Sequence, residues 1–159
     1  MNKFILILAC VGLSACSSHN VKQPTLSGLA LQQLQTREYE TKYETAFKSV
    51  MSVLQDAGYI LENADMSTGF ITGKSPSSSK TTYNLFTGLG KTNGTTKVSS
   101  TVEKVGESFT KVRLNFVAID ENSNLYGNAR TDTPVEDEKL YENVFEKISE
   151  TIFIKQATQ

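Results

Sequence analysis

The chain has 159 residues, with 16 basic and 17 acidic side chains and a formal net charge of −1. That balance lacks the basic excess of a nucleic-acid binder, and one His with two Cys supplies few ligands for a metal site. With 38% hydrophobic and 21% charged residues, one globular domain is expected and wholesale disorder is excluded.

The N-terminus reads as an address. Lys3 precedes a ten-residue apolar run at 4–13, FILILACVGL. As a helix at about 1.5 Å per residue, this run would cover about half of a roughly 30 Å hydrocarbon core. It therefore reads as a signal-peptide h-region and not as a membrane span. Leu13-Ser14-Ala15-Cys16 follows at once. These four residues resemble the lipobox of bacterial lipoproteins. The resemblance implies cleavage between Ala15 and Cys16, diacylation of the Cys16 thiol and acylation of the new amine. An ordinary secretory site would place a small residue where Leu13 stands. Several acyl chains anchor a protein stably, whereas one holds it only marginally. By the same resemblance, Ser17 in place of an Asp favours the outer over the inner membrane, with the domain facing the periplasm. Cleavage after residue 15 would leave 144 residues with Cys16 as the sole cysteine, and that one lipidated. No disulfide and no cysteine nucleophile would remain.

The elements of the mature chain follow in order. Residues 16–31 carry the lipid site and then a mostly polar stretch with Pro24 and Gly28, read as a flexible tether. Residues 32–159 are read as a single α+β domain. Residues 32–40 hold two apolar side chains, Leu34 and Tyr39, and suggest a polar edge strand. Residues 41–57 read as a helix. Thr41-Lys42-Tyr43-Glu44 fits a capping box, Tyr43, Ala46, Phe47, Val50, Leu54 and Ala57 form one stripe, and Gly58 supplies a stop. Residues 58–74 read as a hairpin around the turn chemistry of 63–67. Residues 75–96, rich in Ser, Thr, Gly and Lys, read as a long loop holding Tyr83, Leu85 and Phe86. Residues 97–105 and 109–119 form a second hairpin across Gly106. Val112, Leu114, Phe116 and Ala118 alternate there with Lys111, Arg113 and Asn115. Residues 120–124 are expected to turn, and 125–130 to add an edge strand. Residues 133–154 read as the last helix, with Thr133 as N-cap, Pro134 in the first turn and Glu136 closing a capping box. Its stripe is Leu140, Tyr141, Val144, Phe145, Ile148 and Ile152. The expected fold is an antiparallel sheet of four to five strands covered on one face by two helices.

Gln35-Thr36-Arg37, Gly58-Tyr59-Ile60, Gly69-Phe70-Ile71-Thr72 and Leu140-Tyr141 with Val144-Phe145 resemble a family of small bacterial lipoproteins. The order of elements is also similar to the helix-grip domains of the BamC lipoprotein of the outer-membrane barrel-assembly machine. Both likenesses rest on core and turn residues and imply a fold, not a chemistry.

Little in the sequence points to catalysis. Gly88-Leu89-Gly90-Lys91-Thr92 would complete a phosphate-binding loop only with a glycine where Leu85 stands. His19 is the sole histidine and lies three residues from Cys16, so a Ser-His-Asp arrangement has no scaffolded base. The acidic 120–124 stretch lacks the spacing and distal glutamate of a calcium loop. Glu136-Asp137-Glu138 suits the positive end of a helix dipole. The expectation is a non-enzymatic, lipid-anchored envelope component without cofactor beyond the lipid on Cys16. Tyr83, Leu85 and Phe86 are either a lid on the core or a contact for an envelope protein partner or lipid. The alternative is a hydrophobic-ligand module with a cavity lined by Phe47, Phe116, Phe145 and Ile148.

Overall fold

A computed structural model describes residues 19–21, 25–84, 88–124 and 127–158. Its frame is one long antiparallel hairpin, β6 (Gly88–Val105) against β7 (Phe109–Asn124), joined at Gly106. Each of these two strands is long enough to take two partners along its outer edge. Near the Gly106 turn, β4 (Phe70–Lys74) pairs with β6, and β3 (Ile60–Asp65) with β4. There β2 (Thr36–Glu40) pairs with β7. Toward the other end, β5 (Ser78–Asn84) pairs with β6 and β8 (Gly127–Pro134) with β7. β1 (His19–Val21) adds to β8 and is, among the described residues, the one parallel strand of an eight-stranded sheet.

The α+β class stands, with eight strands in place of the four to five expected. The additional strands come from two stretches read otherwise. Residues 78–84 and 88–96 of the expected long loop are β5 and the first half of β6. Within the expected tether, His19–Val21 is strand, and α1 (Gly28–Leu34) is a short helix capped by the Ser27 hydroxyl. α1 also replaces the first residues of the expected edge strand, which narrows to β2. Neither stretch shows an apolar alternation, and none of its described residues joins the core cluster.

The core lies where two helices cover the β4–β6–β7 region. Ile71, Val98, Val102, Val112, Leu114 and Phe116 point to one face of that sheet. Their register explains the layer, since Gly73, Val98 and Phe116 stand in one row across three strands. Onto it pack Ala46, Phe47, Val50, Val53 and Leu54 of α2 (Tyr43–Asp56). From α3 (Glu138–Ala157) come Tyr141, Phe145, Ile148 and Ile152. The opposite face of the same strands is polar, with Lys111 and Glu103 ion-paired at 2.7 Å across β6 and β7.

Helix ends show local signals overridden by tertiary partners. α2 stops as expected: Gly58 takes φ 85, its N–H bonds the Gln55 carbonyl, and the Tyr59 N–H bonds the Leu54 carbonyl. This is a Schellman closure. At its start, however, Thr41 does not cap. Its carbonyl accepts from the Thr110 hydroxyl at 2.8 Å, and its own hydroxyl accepts from Gln156 Nε2 at 3.1 Å. α3 begins later than expected because Thr133 and Pro134 remain in β8, paired with Ala118 and Val117. Asp137 is the true N-cap, accepting from the Leu140 N–H at 3.2 Å.

Candidate functional site

Three places on this frame hold groups that could act on something else. The first is a seam on β7. β2 pairs with β7 up to Arg113, and β8 begins pairing at Val117, so residues 114–116 face no strand on that side. Side chains and chain ends fill the gap. The Leu114 N–H bonds the Gln35 carbonyl at 2.9 Å, and the Phe116 N–H bonds the Tyr141 hydroxyl at 3.3 Å. The Val135 N–H closes on the Phe116 carbonyl at 2.9 Å. Gln35, only 2% exposed, donates from Nε2 to Asn115 Oδ1 at 3.1 Å and to the Tyr141 hydroxyl at 3.4 Å. Its Oε1 accepts from Arg113 Nη2 at 3.2 Å. Beside this seam the Arg37 guanidinium lies 5.5 Å from the Phe145 ring centre. The Tyr39 hydroxyl donates to the Phe145 carbonyl at 3.0 Å. Burial pushes the Tyr39 phenol well above its usual range, against a smaller opposing pull from Arg37, so it stays a donor. The seam's amides, phenol and guanidinium are used up on one another and on the backbone. It is a latch between α1, β7 and α3, with no free base or nucleophile.

That latch carries a measurable load. Tyr141→Phe removes the acceptor for two buried donors, the Phe116 N–H and Gln35 Nε2. We expect a loss of about 1–3 kcal/mol, the cost of leaving buried donors unpaired, read as a lower urea midpoint. An unchanged midpoint would mean that neither donor depends on the hydroxyl.

The second place is a pair of grooves along α3. One, of about 400 Å³, lies between α1 and α3 and is lined by Leu26, Leu34, Arg37, Glu136, Glu138 and Glu142 among others. Glu136 was expected to close a capping box with Thr133. It instead accepts from the Thr25 hydroxyl, from the Thr25 N–H at 2.7 Å and from the Leu26 N–H at 3.4 Å. The Thr25 hydroxyl bond lowers the Glu136 pKa, outweighing the opposing effect of desolvation. The other groove, of about 380 Å³, runs between α2 and α3. Val53, Ala57 and Val144 give it apolar walls, and Asp56, Asn143, Lys147 and Thr151 polar ones. The four residues expected to line an internal cavity, Phe47, Phe116, Phe145 and Ile148, line neither groove. All four are buried in the packed core.

The third place is an arm. Among the described residues, the core cluster includes none of β5, β8 or the halves of β6 and β7 beyond Val98 and Phe116, although Ile119 of β7 is buried. The segments read SSKTTYN, GLGKTNGTT, AIDENSN and GNARTDT. Threonine suits an extended backbone even without a core to face. Polar cross-links take the place of apolar packing. The Thr92 hydroxyl meets Asn122 Oδ1 at 2.6 Å, and Ser77 and Thr95 hydroxyls meet at 3.2 Å. Arg130 pairs with Asp132 at 2.8 Å and with Glu121 at 4.0 Å. Residues 78–80, 121–123 and 127–129 are exposed.

The arm holds several residues singled out from sequence. Tyr83 stands in β5 opposite Leu89, nine positions along β6 from Val98. At about 3.3 Å per residue that is about 30 Å of strand. Leu85, Phe86, Ala15 and Cys16 lie outside the described residues. Residues 88–92 open a strand and lead into no helix, so they lack the strand-loop-helix setting of a phosphate loop. Residues 120–124, expected to turn, finish β7. Among the described residues no group of three or more His, Cys, Asp or Glu is placed to hold a metal ion. No described helix is long and apolar enough to cross a membrane.

Sequence reasoning missed the roles of Gln35, Arg113 and Tyr141, and the strand at His19–Val21. The Gln35-Thr36-Arg37 run was visible, but nothing local marks a gap between two strands that pair elsewhere. No protein-family model matches the chain, and no curated protein matches it.

Proposed function

We propose that this chain is a lipid-anchored envelope protein. It would be held on the outer membrane through Cys16 and act without catalysis as an interaction or structural component facing the periplasm. One observation carries the reading: Leu13-Ser14-Ala15-Cys16 directly after a short apolar run behind Lys3. The arm supports the interaction role. Among the described residues β5 pairs with β6 alone, so its outer edge offers backbone donors and acceptors to an added strand. Of the groups with shifted pKa, Glu136 lines the groove between α1 and α3, whereas two others lie on the open surface. Asp65 is lowered by the Ser67 hydroxyl in an exposed turn, and Lys147 is raised by Glu150 on the surface of α3. Neither belongs to a cleft of convergent groups.

The test is Cys16→Ser in the full-length chain. The native chain is expected in the outer-membrane fraction, with an intact mass raised by the acyl groups. The variant is expected to lose both properties, gaining no acyl mass and leaving the outer-membrane fraction, with its leader uncleaved because Leu13 does not suit an ordinary secretory site. A variant that still enters the outer-membrane fraction, or a native chain without added mass, would defeat the proposal.

A second reading, a hydrophobic-ligand module, draws on the groove between α2 and α3. Its volume of about 380 Å³ and its apolar walls at Val53, Ala57 and Val144 suit a small apolar molecule. Native mass spectrometry of the protein drawn from cells separates the two readings. Co-purifying lipid-sized mass favours the ligand module, and a bare chain favours the interaction role.

A further inference from the structure

We infer that the free end of the arm, where β5 meets β6 and β7 meets β8, rests against the phospholipid surface that holds Cys16. The inference builds on the lipid anchor proposed above.

Its geometry comes from β1. This strand runs parallel to β8, with His19 opposite Arg130, Asn20 opposite Thr131 and Val21 opposite Asp132. β8 runs from Gly127, at the free end of the arm, back toward Pro134 beside the core. β1 is parallel to it, so its N-terminal end points to the free end of the arm. His19 sits three register positions from Gly127, and Cys16 precedes His19 by three residues. Three residues reach at most about 10 Å. The lipid can therefore attach no farther than that from His19.

The opposite end of the sheet lies far from the point of attachment. Arg130 stands opposite Glu121, and Phe109, at the Gly106 turn, lies twelve residues farther along β7. At about 3.4 Å per residue this is about 40 Å of strand.

The chemistry of the free end fits a phospholipid surface. The register pairs Asn84–Gly88 and Asn124–Gly127 stand last at that end. The chain carries 17 acidic residues, yet no Asp or Glu stands at 81–91 or 122–129. Lys91 is the one charged residue in those two stretches, and Arg130 adjoins them. An end without carboxylates avoids repulsion from anionic headgroups, and Arg130 at its border is ion-paired with Asp132 and Glu121. A strand paired to β8 thus does more than tether: it sets which end of the domain meets the membrane.

The test uses the full lipoprotein in vesicles of phosphatidylethanolamine and phosphatidylglycerol that carry a headgroup nitroxide quencher. A fluorophore is placed at Asn128→Cys on the free end, or at Glu107→Cys on the opposite turn, both exposed positions. Quenching several-fold stronger at 128 than at 107 is expected. Equal quenching, no quenching at 128, or the reverse order would overturn the inference. The intact mass of the same preparation separates the two failures. Lipid present without quenching at 128 defeats the orientation alone, and lipid absent defeats the anchor and the orientation together.

Discussion

Phe116→Ala is expected to remove about 4 kcal/mol of folding stability. Phe116 is 1% exposed and stands opposite Val98 in the central hairpin. Its ring centre lies 5.4 Å from that of Tyr141, edge to face, and 5.9 Å from that of Tyr59. Truncation loses the transfer free energy of the ring and leaves a void. That void cannot close cheaply, because β7 is held by β6 on one side and the Gln35–Tyr141 latch on the other. Native domains have only about 5–15 kcal/mol to lose, so the melting temperature should fall by roughly 10 °C or more. Urea denaturation of the chain from Ser17 onward, expressed without its leader and followed by circular dichroism, checks the value. Phe153→Ala is the control: this ring is 71% exposed, and its loss should fall within about 0.5 kcal/mol of zero. A cost below about 1 kcal/mol at Phe116 would mean the region is not packed as a core. It would strengthen the ligand-module reading.

Gly69→Ala is expected to cost about 3 kcal/mol, of which about 1–2 kcal/mol is the left-handed backbone alone. Gly69 has φ 74 in the turn between β3 and β4. A Cβ added there would fall inside the Val102 carbonyl oxygen, with the Tyr43 hydroxyl at 3.0 Å. The turn cannot retreat without loss, since the Gly69 carbonyl accepts from the Val102 N–H at 2.9 Å. The Tyr43 hydroxyl also donates to the Met66 carbonyl at 2.5 Å, holding the turn against α2. Gly106→Ala isolates the contribution of the clash. Gly106 has φ 65 but nothing within 4 Å of its added Cβ. It should cost only the backbone part, about 1–2 kcal/mol. Equal urea midpoints for the two variants would mean that the close approach to β6 does not exist.

These two sites differ in how visible they are from sequence. Phe116 announces itself, because Val112, Leu114 and Phe116 alternate with polar residues, and period two places them on one face. The same logic found α2 and α3, whose stripes repeat with the helical period, and the hairpin of β3 and β4 around its turn residues. Gly69 announces only a turn. The carbonyl that forbids a side chain there belongs to a residue 33 positions later in the chain.

The start of α3 shows how local signals lose. Thr133, Pro134 and Glu136 form a sound helix opening in isolation. In the folded chain Thr133 and Pro134 extend β8 against β7, and Glu136 turns to Thr25, 111 residues earlier. Thr41 likewise trades its cap for Thr110 and Gln156.

The proposed address at Cys16, the one-sided helices and the apolar hairpins are written in short stretches, because periodicity and cleavage chemistry act over a few residues. The arm and the seam on β7 are not. A strand outside the core layer has no hydrophobic alternation to betray it, so β5 and the outer half of β6 read as loop until their partners in β6 and β7 are known. The seam depends on contacts spanning 25 to 106 residues among Gln35, Asn115, Phe116 and Tyr141. Buried hydrogen bonds of that range arise only when the folded chain brings their ends together and excludes water from both.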